Sequence, residues 1–187
     1  MKLILCSNSP RRKELLAGLD IPFDVRVKTG ISESCPAGLS PVEVAKHIAM
    51  QKSEAYEPET ADEVILTADT IVVCGEDILG KPADEADACR MLQRLSGRTH
   101  QVVTGVALKS RKALRVFAVV TNVTFKALTA QEITYYVRHY RPFDKAGAYG
   151  IQEWIGYIGV TRLEGSYFNV MGLPVQRIYE ELKKLPI

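Results

Sequence analysis

The sequence has 187 residues, of which 47% are hydrophobic, and its 24 basic and 22 acidic side chains give a formal net charge of +2. A chain of this length and composition can bury a core without disulfides or a structural metal, so we expect one domain over residues 1–187. The balanced charge argues against a protein that coats nucleic acid through a strongly basic face, and no nucleic-acid partner is expected.

The first half of the chain alternates between strand and helix signals. Apolar runs typical of strands are separated by polar turns, and helices are indicated by capping residues followed by an apolar face. These signals predict, in chain order, a strand at 3–6, a helix opened by Ser9 and Pro10, a strand at 23–27, a helix at 40–56 opened by a capping box, strands at 64–68 and 70–74 separated by Asp69, a return strand at 78–79, and a helix from Asp84 to Gly97.

The second half begins with two long β-rich runs and ends in helices and loops. The same signals predict strands at 101–108 and 115–125, a helix opened by a capping box at Thr129, a glycine-interrupted loop at 144–152, a strand at 157–163, a polar loop at 164–172, and a final helix through 175–182. Strands that alternate with helices in this way predict a mixed α/β domain.

The cysteines and the apolar runs bear on the compartment. The four cysteines, at positions 6, 35, 74 and 89, form no CxxC pair and lack metal-ligand spacing, which is typical of reduced thiols. No stretch approaches the roughly 18 to 20 apolar residues of a membrane span. The apolar run at 3–6 is too short for the hydrophobic region of a signal peptide. We therefore expect a cytoplasmic protein with no membrane partner.

The turn between the first strand and the first helix is a candidate anion site. It contains Ser7 and Ser9, followed by two adjacent arginines, Arg11 and Arg12. Backbone N–H groups at a helix N-terminus bind anions, whereas the helix dipole disfavours positive side chains at that end. A phosphate held between the amides and the guanidinium groups would remove this conflict. The alternative is an ordinary capped helix with solvated arginines.

Two charged residues occupy positions where apolar residues are expected. Lys52 projects from the apolar face of its helix, so it either extends to solvent or points into a cleft. Asp69 separates two β-rich runs, and charged groups at strand ends are typical catalytic positions in α/β proteins. Asp69 is therefore a candidate to bind a divalent cation, to orient a water, or both, the alternative being a turn or helix cap. Glu33, in the preceding loop, is either a second carboxylate of this site or a solvated side chain.

Two later loops carry polar residues with less specific signals. Lys81 lies between Gly80 and Pro82, and proline restricts the local backbone. Gln152 ends a segment of small residues at 145–152, where a ligand can approach the backbone. Its amide offers both a donor and an acceptor to the edge of a base. No nucleophile triad is apparent, and the three histidines lack metal-ligand spacing.

Taken in order, these segments resemble the Maf family, which is named for septum formation and whose members are nucleoside-triphosphate pyrophosphatases. The resemblance spans nearly the whole chain. Each motif alone is unspecific, but the ordered set is specific to the family. The motifs are SNSPRRKELL at 7–16, ADTIV at 68–72, GKP at 80–82, LSGRTH at 95–100, KAGAYGIQ at 145–152, GSY at 165–167 and GLP at 172–174.

The resemblance implies a fold, a reaction and a cofactor. The fold would be α/β and similar to the inosine-triphosphate pyrophosphatases (Ham1-like), with a mixed central sheet flanked by helices and two lobes around a deep cleft. The reaction would release pyrophosphate from a nucleoside triphosphate with the help of Mg²⁺ or Mn²⁺ bound by Asp69 and Glu33. Asp69 matches the proton acceptor of the family. The expected substrate-binding residues are Ser7, Ser9, Arg12, Glu33, Lys52 and Lys81.

Substrate choice is implied by three further positions. Arg11, Thr70 and Gln152 together are similar to the branch that acts on dTTP and UTP, sometimes with modified pyrimidine nucleotides. Two alternatives stay open, namely a purine-type pyrophosphatase for 7-methyl-GTP or ITP and a non-catalytic, nucleotide-binding regulator of cell division. The family often forms dimers, so a homodimer is compatible with the resemblance.

Overall fold

The computed structural model describes residues 1–186. The chain forms two compact units, each assembled from separate segments of the sequence. The first unit comprises Met1–Asp69, Thr104–Val119 and the chain from Gly172 onward, and the second comprises Thr70–Val103 and Val120–Met171. That residues 1–187 act as a single domain stays a prediction.

Strands and helices alternate along most of the described chain. The strands are β1 (Lys2–Leu5), β2 (Phe23–Val25), β3 (Glu63–Cys74), β4 (Asp77–Leu79), β5 (Thr99–Lys109), β6 (Leu114–Phe125) and β7 (Val160–Glu164). The helices are α1 (Pro10–Ala17), α2 (Pro41–Glu54), α3 (Glu85–Leu95), α4 (Ala130–Tyr140), α5 (Trp154–Gly159), α6 (Tyr167–Met171) and α7 (Val175–Lys184), with a 3₁₀ turn at Ala146–Ala148.

The strands form one mixed sheet in the order β2-β1-β3-β5-β6-β7, and β4 pairs with β3 outside this order. Strand β1 runs parallel to β2 and β3, with Leu5 opposite Val25 on one side and Leu66 on the other. Strand β4 is antiparallel to β3, and β7 is antiparallel to β6. The predicted α/β fold with a mixed central sheet flanked by helices is confirmed.

The core of the first unit lies around the parallel strands. Leu3, Ile4 and Leu5 of β1 are fully buried, as expected for a parallel strand covered on both faces. Helix α2 packs directly on β5 at Gly105, where an added Cβ would lie 2.0 Å from the carbonyl oxygen of Ala45. This close approach positions α2, which carries Lys52.

The core of the second unit is built on α3 and α4. Leu92 and Leu95 of α3 pack in one apolar cluster with Tyr136 and Val137 of α4. Phe125 of β6 belongs to the same cluster. Because the apolar residues of each helix recur every three or four positions, one face of each helix is buried in this cluster.

The predicted helix starts are confirmed by their caps. Ser9 and Asp84 each accept a hydrogen bond from a backbone N–H in the first turn of α1 and α3. Ser40 and Thr129 form complete capping boxes at α2 and α4. Such caps satisfy backbone donors that have no partner within the helix, so short local patterns were enough to predict them.

Three predicted elements were wrong. The strands at 64–68 and 70–74 form a single strand that contains Asp69, since the carboxylate is paired with Lys52. Part of the predicted strand at 157–163 is helix α5, because helical spacing buries Ile155 and Gly159 on one face. The predicted loop at 164–172 contains helix α6. In each case tertiary contacts override the local preference of the sequence.

The predicted strand at 23–27 is confirmed only in part. Strand β2 ends at Val25, and Val25 and Val27 are both exposed.

The longest described helix, α2, has 14 residues, and none of the helices within residues 1–186 has the length and hydropathy needed to cross a membrane.

Candidate active site

The turn after β1 is shaped by its two serines. The hydroxyl of Ser7 accepts a hydrogen bond from the N–H of Ser9 at 3.2 Å, and the hydroxyl of Ser9 accepts one from the N–H of Arg12 at 3.4 Å. Pro10 occupies the first position of α1 and needs no hydrogen-bond acceptor. The serines therefore hold the backbone at the N-terminus of α1, where an anion site was predicted.

Arg12 is tied to the main chain of two distant segments of the first unit. Its Nε donates to the carbonyl oxygen of Gly172 at 2.9 Å, and its Nη1 donates to that of Ala68 at 2.8 Å. Burial lowers the pKa of the guanidinium, and the nearby Asp69 carboxylate opposes this shift. The Ala68 contact is adjacent in sequence to Asp69, so Arg12 also fixes the backbone that carries the carboxylate.

Lys52 lies between the two predicted carboxylates. Its Nζ is 2.7 Å from Asp69 Oδ1 and 3.0 Å from Glu33 Oε1. The side chains of Lys52 and Asp69 are only 17% and 15% exposed, whereas that of Glu33 is 56% exposed. Of the two alternatives for Lys52, extension into solvent is therefore wrong. Withdrawal from water strengthens the Lys52–Asp69 ion pair and holds both groups in place.

The donor set of Glu33 and Asp69 fits a divalent cation. Both carboxylates contact one ammonium group, so they already converge on a single positive charge. Within residues 1–186, no group of three or more His, Cys, Asp or Glu side chains is placed to hold a metal. Mg²⁺ in nucleotide enzymes is typically bound by one or two carboxylates together with substrate phosphates and water, which two carboxylates satisfy.

Six of the predicted site residues thus belong to the first unit, where they lie in the turn after β1, in the first turn of α1, in the loop before α2, near the end of α2 and on β3. They are Ser7, Ser9, Arg12, Glu33, Lys52 and Asp69. Arg11 lies in the first turn of α1 and is half-buried. The sequence did not predict that Arg12 would donate to backbone carbonyls, because no side-chain motif indicates such contacts.

The remaining predicted residues belong to the second unit. Thr70 lies within β3 and is half-buried, and Lys81 follows β4 and is exposed. Gln152 is half-buried in the turn before α5, and its buried Oε1 has no hydrogen-bond partner among the described residues. An unpaired buried acceptor costs free energy, which makes this amide a candidate to receive a ligand.

The burial of one histidine of the second unit was also not predicted from the sequence. His100 is 2% exposed, and its Nε2 shares a 2.6 Å hydrogen bond with the hydroxyl of Tyr149. Burial lowers the pKa of His100 to about 4 and raises the pKa of Tyr149, so both side chains are neutral at pH 7. The two residues are 49 positions apart, and neither spacing nor local periodicity predicts their contact.

Known proteins are similar to this chain in sequence or in fold. A family described as Maf-like protein matches residues 2–185. A dTTP/UTP pyrophosphatase of Phocaeicola vulgatus is 57% identical over 185 residues, which cover 98% of this chain and 96% of the relative. A protein of the same name from Porphyromonas gingivalis is 54% identical, with 97% of this chain and 93% of the relative covered.

A solved structure confirms the predicted fold similarity. The Staphylococcus aureus Ham1 protein aligns with a TM-score of 0.52 at 16% sequence identity, covering 97% of this chain and 100% of the other. At this low identity the likeness concerns the fold alone.

Proposed function

The chain belongs to the Maf family, and on that premise we propose that it is a hydrolase that converts dTTP and UTP to their monophosphates and pyrophosphate. Two relatives, 57% and 54% identical to this chain over nearly their whole length, carry the name dTTP/UTP pyrophosphatase. The single structural observation that supports the proposal is the Asp69 carboxylate held 2.7 Å from Lys52, with Arg12 bonded to the adjacent Ala68.

Asp69 acts as the general base in this proposal. Its carboxylate accepts a proton from a water molecule while the water oxygen forms a bond to the α-phosphorus. The bond from the α-phosphorus to the bridging oxygen breaks, and pyrophosphate leaves with the electron pair. Lys52 supports this role because its ammonium group fixes the orientation of the carboxylate.

The basic and hydroxyl side chains bind the triphosphate. Arg12 and Lys52 of the first unit contact the phosphates, and Ser7 and Ser9 shape the turn whose amides face the anion. That Lys81 also binds phosphate stays a prediction. Arg12 is held by two main-chain carbonyls before substrate binds. Little side-chain entropy is therefore lost when it contacts a phosphate, which favours preorganised stabilisation of charge.

Glu33 and Asp69 would hold the divalent cation in the proposed enzyme. Mg²⁺ or Mn²⁺ at these carboxylates would supply neutralisation of charge on the triphosphate and a lower pKa for the attacking water. Two carboxylates leave coordination positions for phosphate oxygens. Metal and nucleotide are therefore expected to bind together.

Arg11, Thr70 and Gln152 determine substrate choice in this proposal. Thymine and uracil share an edge with one N–H donor at N3 and an acceptor oxygen at C4. The amide of Gln152 offers a complementary acceptor and donor. Modified pyrimidines with a changed 5-position keep the same edge, which supports their inclusion as further substrates.

The test is pyrophosphate release by the purified protein with Mg²⁺ or Mn²⁺ across standard and modified nucleoside triphosphates. Preferential turnover of dTTP and UTP, lost in Asp69→Asn, supports the proposal. Preference for ITP or 7-methyl-GTP would keep the chemistry and overturn the substrate assignment. Nucleotide binding without turnover of any nucleotide would favour the non-catalytic regulator.

A further inference from the structure

The hydroxyl of Thr67 joins β3 to α2 close to Lys52 and Asp69. Its Oγ1 donates a 2.6 Å hydrogen bond to the carbonyl oxygen of Ala49. Thr67 and Ala49 are both fully buried, so this bond is shielded from water. A buried hydroxyl without a partner costs free energy, which favours the arrangement that keeps the bond. The hydrogen bond therefore fixes the position of the helix on the strand.

The two ends of this hydrogen bond lie close in sequence to the Lys52–Asp69 ion pair. Thr67 precedes Asp69 by two positions on β3, and side chains two positions apart in a strand point to the same face of the sheet. Ala49 precedes Lys52 by three positions on α2, about one turn of helix. The hydrogen bond and the ion pair thus join the same strand to the same helix at neighbouring points.

Helix α2 has another fixed point one turn before Ala49. Ala45 is fully buried and packs against Gly105 of β5, where an added Cβ would clash with the Ala45 carbonyl oxygen. Ala45, Ala49 and Lys52 recur at helical spacing and so lie on one face of α2. The backbone contact at Gly105 sets how close the helix lies to the sheet. The directional hydrogen bond of Thr67 adds a constraint one turn nearer to Lys52.

The strand is held by a contact that does not involve α2. Nη1 of Arg12 donates to the carbonyl oxygen of Ala68, the residue between Thr67 and Asp69. Arg12 belongs to α1, so this contact remains if α2 moves. A displacement of α2 would therefore move Lys52 relative to Asp69 rather than move both residues together.

We propose that Thr67 is a positioning residue for the general base, because its hydrogen bond to Ala49 holds α2 where Lys52 contacts Asp69 Oδ1. The inference rests on the proposed function and adds a residue that acts on the reaction only through Lys52. Thr67 is fully buried, so it does not itself contact the nucleotide. The position of α2 matters because a misplacement of about 1 Å in catalytic groups can lower a rate by up to about a hundredfold.

Three substitutions of Thr67 separate its hydroxyl from its volume. Thr67→Val replaces Oγ1 by a methyl carbon, whose contact with a carbonyl oxygen is about 3.3 Å rather than 2.6 Å. Strand and helix must then separate by roughly 0.7 Å, and the Lys52–Asp69 contact lengthens with them. Thr67→Ala removes the hydroxyl without this added contact, and Thr67→Ser keeps the hydroxyl.

The experiment measures pyrophosphate release from UTP with Mg²⁺. We expect Thr67→Val to lower kcat about tenfold while KM changes by less than about threefold. The change in KM is small because Arg12 and the turn after β1 are held by contacts that do not involve α2. Thr67→Ala should lower kcat by a smaller factor. Thr67→Ser should keep kcat within about twofold of the wild type.

Ser53→Ala is the matched control. Ser53 is also fully buried, but its Oγ donates at 2.6 Å to the carbonyl oxygen of Met50 on the same helix. Its hydrogen bond therefore does not join α2 to β3. Ser53→Ala and Thr67→Ala each remove one buried hydroxyl, so both should lower the midpoint of urea unfolding. Only the Thr67 variants should lower kcat, measured where circular dichroism shows each protein folded.

A double variant tests whether Thr67 acts through Lys52. The ion pair with Asp69 is absent in Lys52→Met, so the addition of Thr67→Val should lower kcat no further. A further tenfold fall would show that Thr67 acts by another route, and the inference would be wrong.

Other outcomes would also overturn the inference. Wild-type kcat in folded Thr67→Val and Thr67→Ala would show that α2 keeps its place without the hydrogen bond. An equal fall of kcat in Ser53→Ala would assign the effect to lost stability of α2. If Thr67→Val is unfolded at the assay temperature, the comparison of Thr67→Ala with Thr67→Ser decides. Absence of turnover of any nucleotide by the wild type contradicts the proposed function itself, so the two failures are distinguishable.

Discussion

At the scale of the residue, Arg12 differs from an ordinary arginine in the first turn of a helix. Its guanidinium bonds to the carbonyl oxygens of Ala68 and Gly172, which lie 56 and 160 positions away. For a phosphate-binding arginine with no structural partner, Arg12→Ala would be expected to affect activity with stability nearly unchanged. The structure changes this expectation, because removal of the guanidinium breaks two hydrogen bonds to the main chain.

Arg12→Ala is therefore expected to lower both stability and activity. The lost hydrogen bonds should reduce the free energy of unfolding by about 2 kcal/mol, and kcat/KM should fall because a phosphate contact is lost. Urea unfolding and pyrophosphate release measure the two effects. Lys13→Ala, an exposed change on the same helix, is the control. A variant as stable as the wild type would show that the carbonyl contacts contribute little.

His100 makes stability depend on pH in a defined window. Its pKa is lowered to about 4 in the folded protein by burial, compared with about 6.5 in the unfolded chain. The unfolded chain therefore binds more protons between these values, and stability present above pH 6.5 is lost as the pH falls towards 4. The loss expected from His100 is about 3 kcal/mol.

The measurement is the free energy of unfolding in urea at pH 7 and at pH 4.5. His100→Gln should flatten the pH dependence in this window. His139→Gln removes an exposed histidine and should leave the dependence as in the wild type. If both variants keep the wild-type slope, other groups titrate there and the assignment to His100 is wrong.

At the scale of the element, α2 and β3 together place the candidate catalytic pair. The capping box at Ser40 fixes where α2 begins, and Lys52 lies near its other end. Strand β3 continues through Asp69 because the carboxylate is paired and little exposed. The sequence predicted the helix and both halves of the strand, but it did not predict that the strand continues, since strand propensity disfavours an aspartate.

Gly105 of β5 provides a test of this packing. Gly105→Ala would place a methyl group 2.0 Å from the carbonyl oxygen of Ala45, and main-chain atoms cannot move aside as a flexible side chain does. We expect a loss of about 2 to 4 kcal/mol in the free energy of unfolding. Thermal or urea unfolding checks it. Gly80→Ala meets nothing within 4 Å and should leave stability nearly unchanged.

At the scale of the whole molecule, metal and nucleotide are expected to stabilise the fold together. Glu33 and Asp69 supply two carboxylate ligands to the cation. Further oxygen ligands come from the phosphates of the nucleotide. Binding to the folded state alone raises stability by about 2.7 kcal/mol at a ligand concentration of 100 times Kd.

The expected result is a rise in Tm of roughly 5–10 °C with Mg²⁺ and a non-hydrolysable α,β-imido analogue of dTTP. Mg²⁺ alone should give a much smaller shift, and added EDTA should reduce the combined effect. Differential scanning fluorimetry measures each condition. A full shift with Mg²⁺ alone would contradict joint binding. The analogue of dATP is the matched control for the base.

The sequence by itself determined the capped helices, most of the strands, the mixed α/β class and the Maf family, because caps, periodicity and ordered motifs are encoded within a few neighbouring residues. Only the tertiary structure decided that Lys52 meets Asp69, that Arg12 binds the carbonyls of Ala68 and Gly172, and that Tyr136 meets Glu153. These contacts join residues 17 to 160 positions apart. They form only when separate elements pack together, and no local pattern specifies that packing.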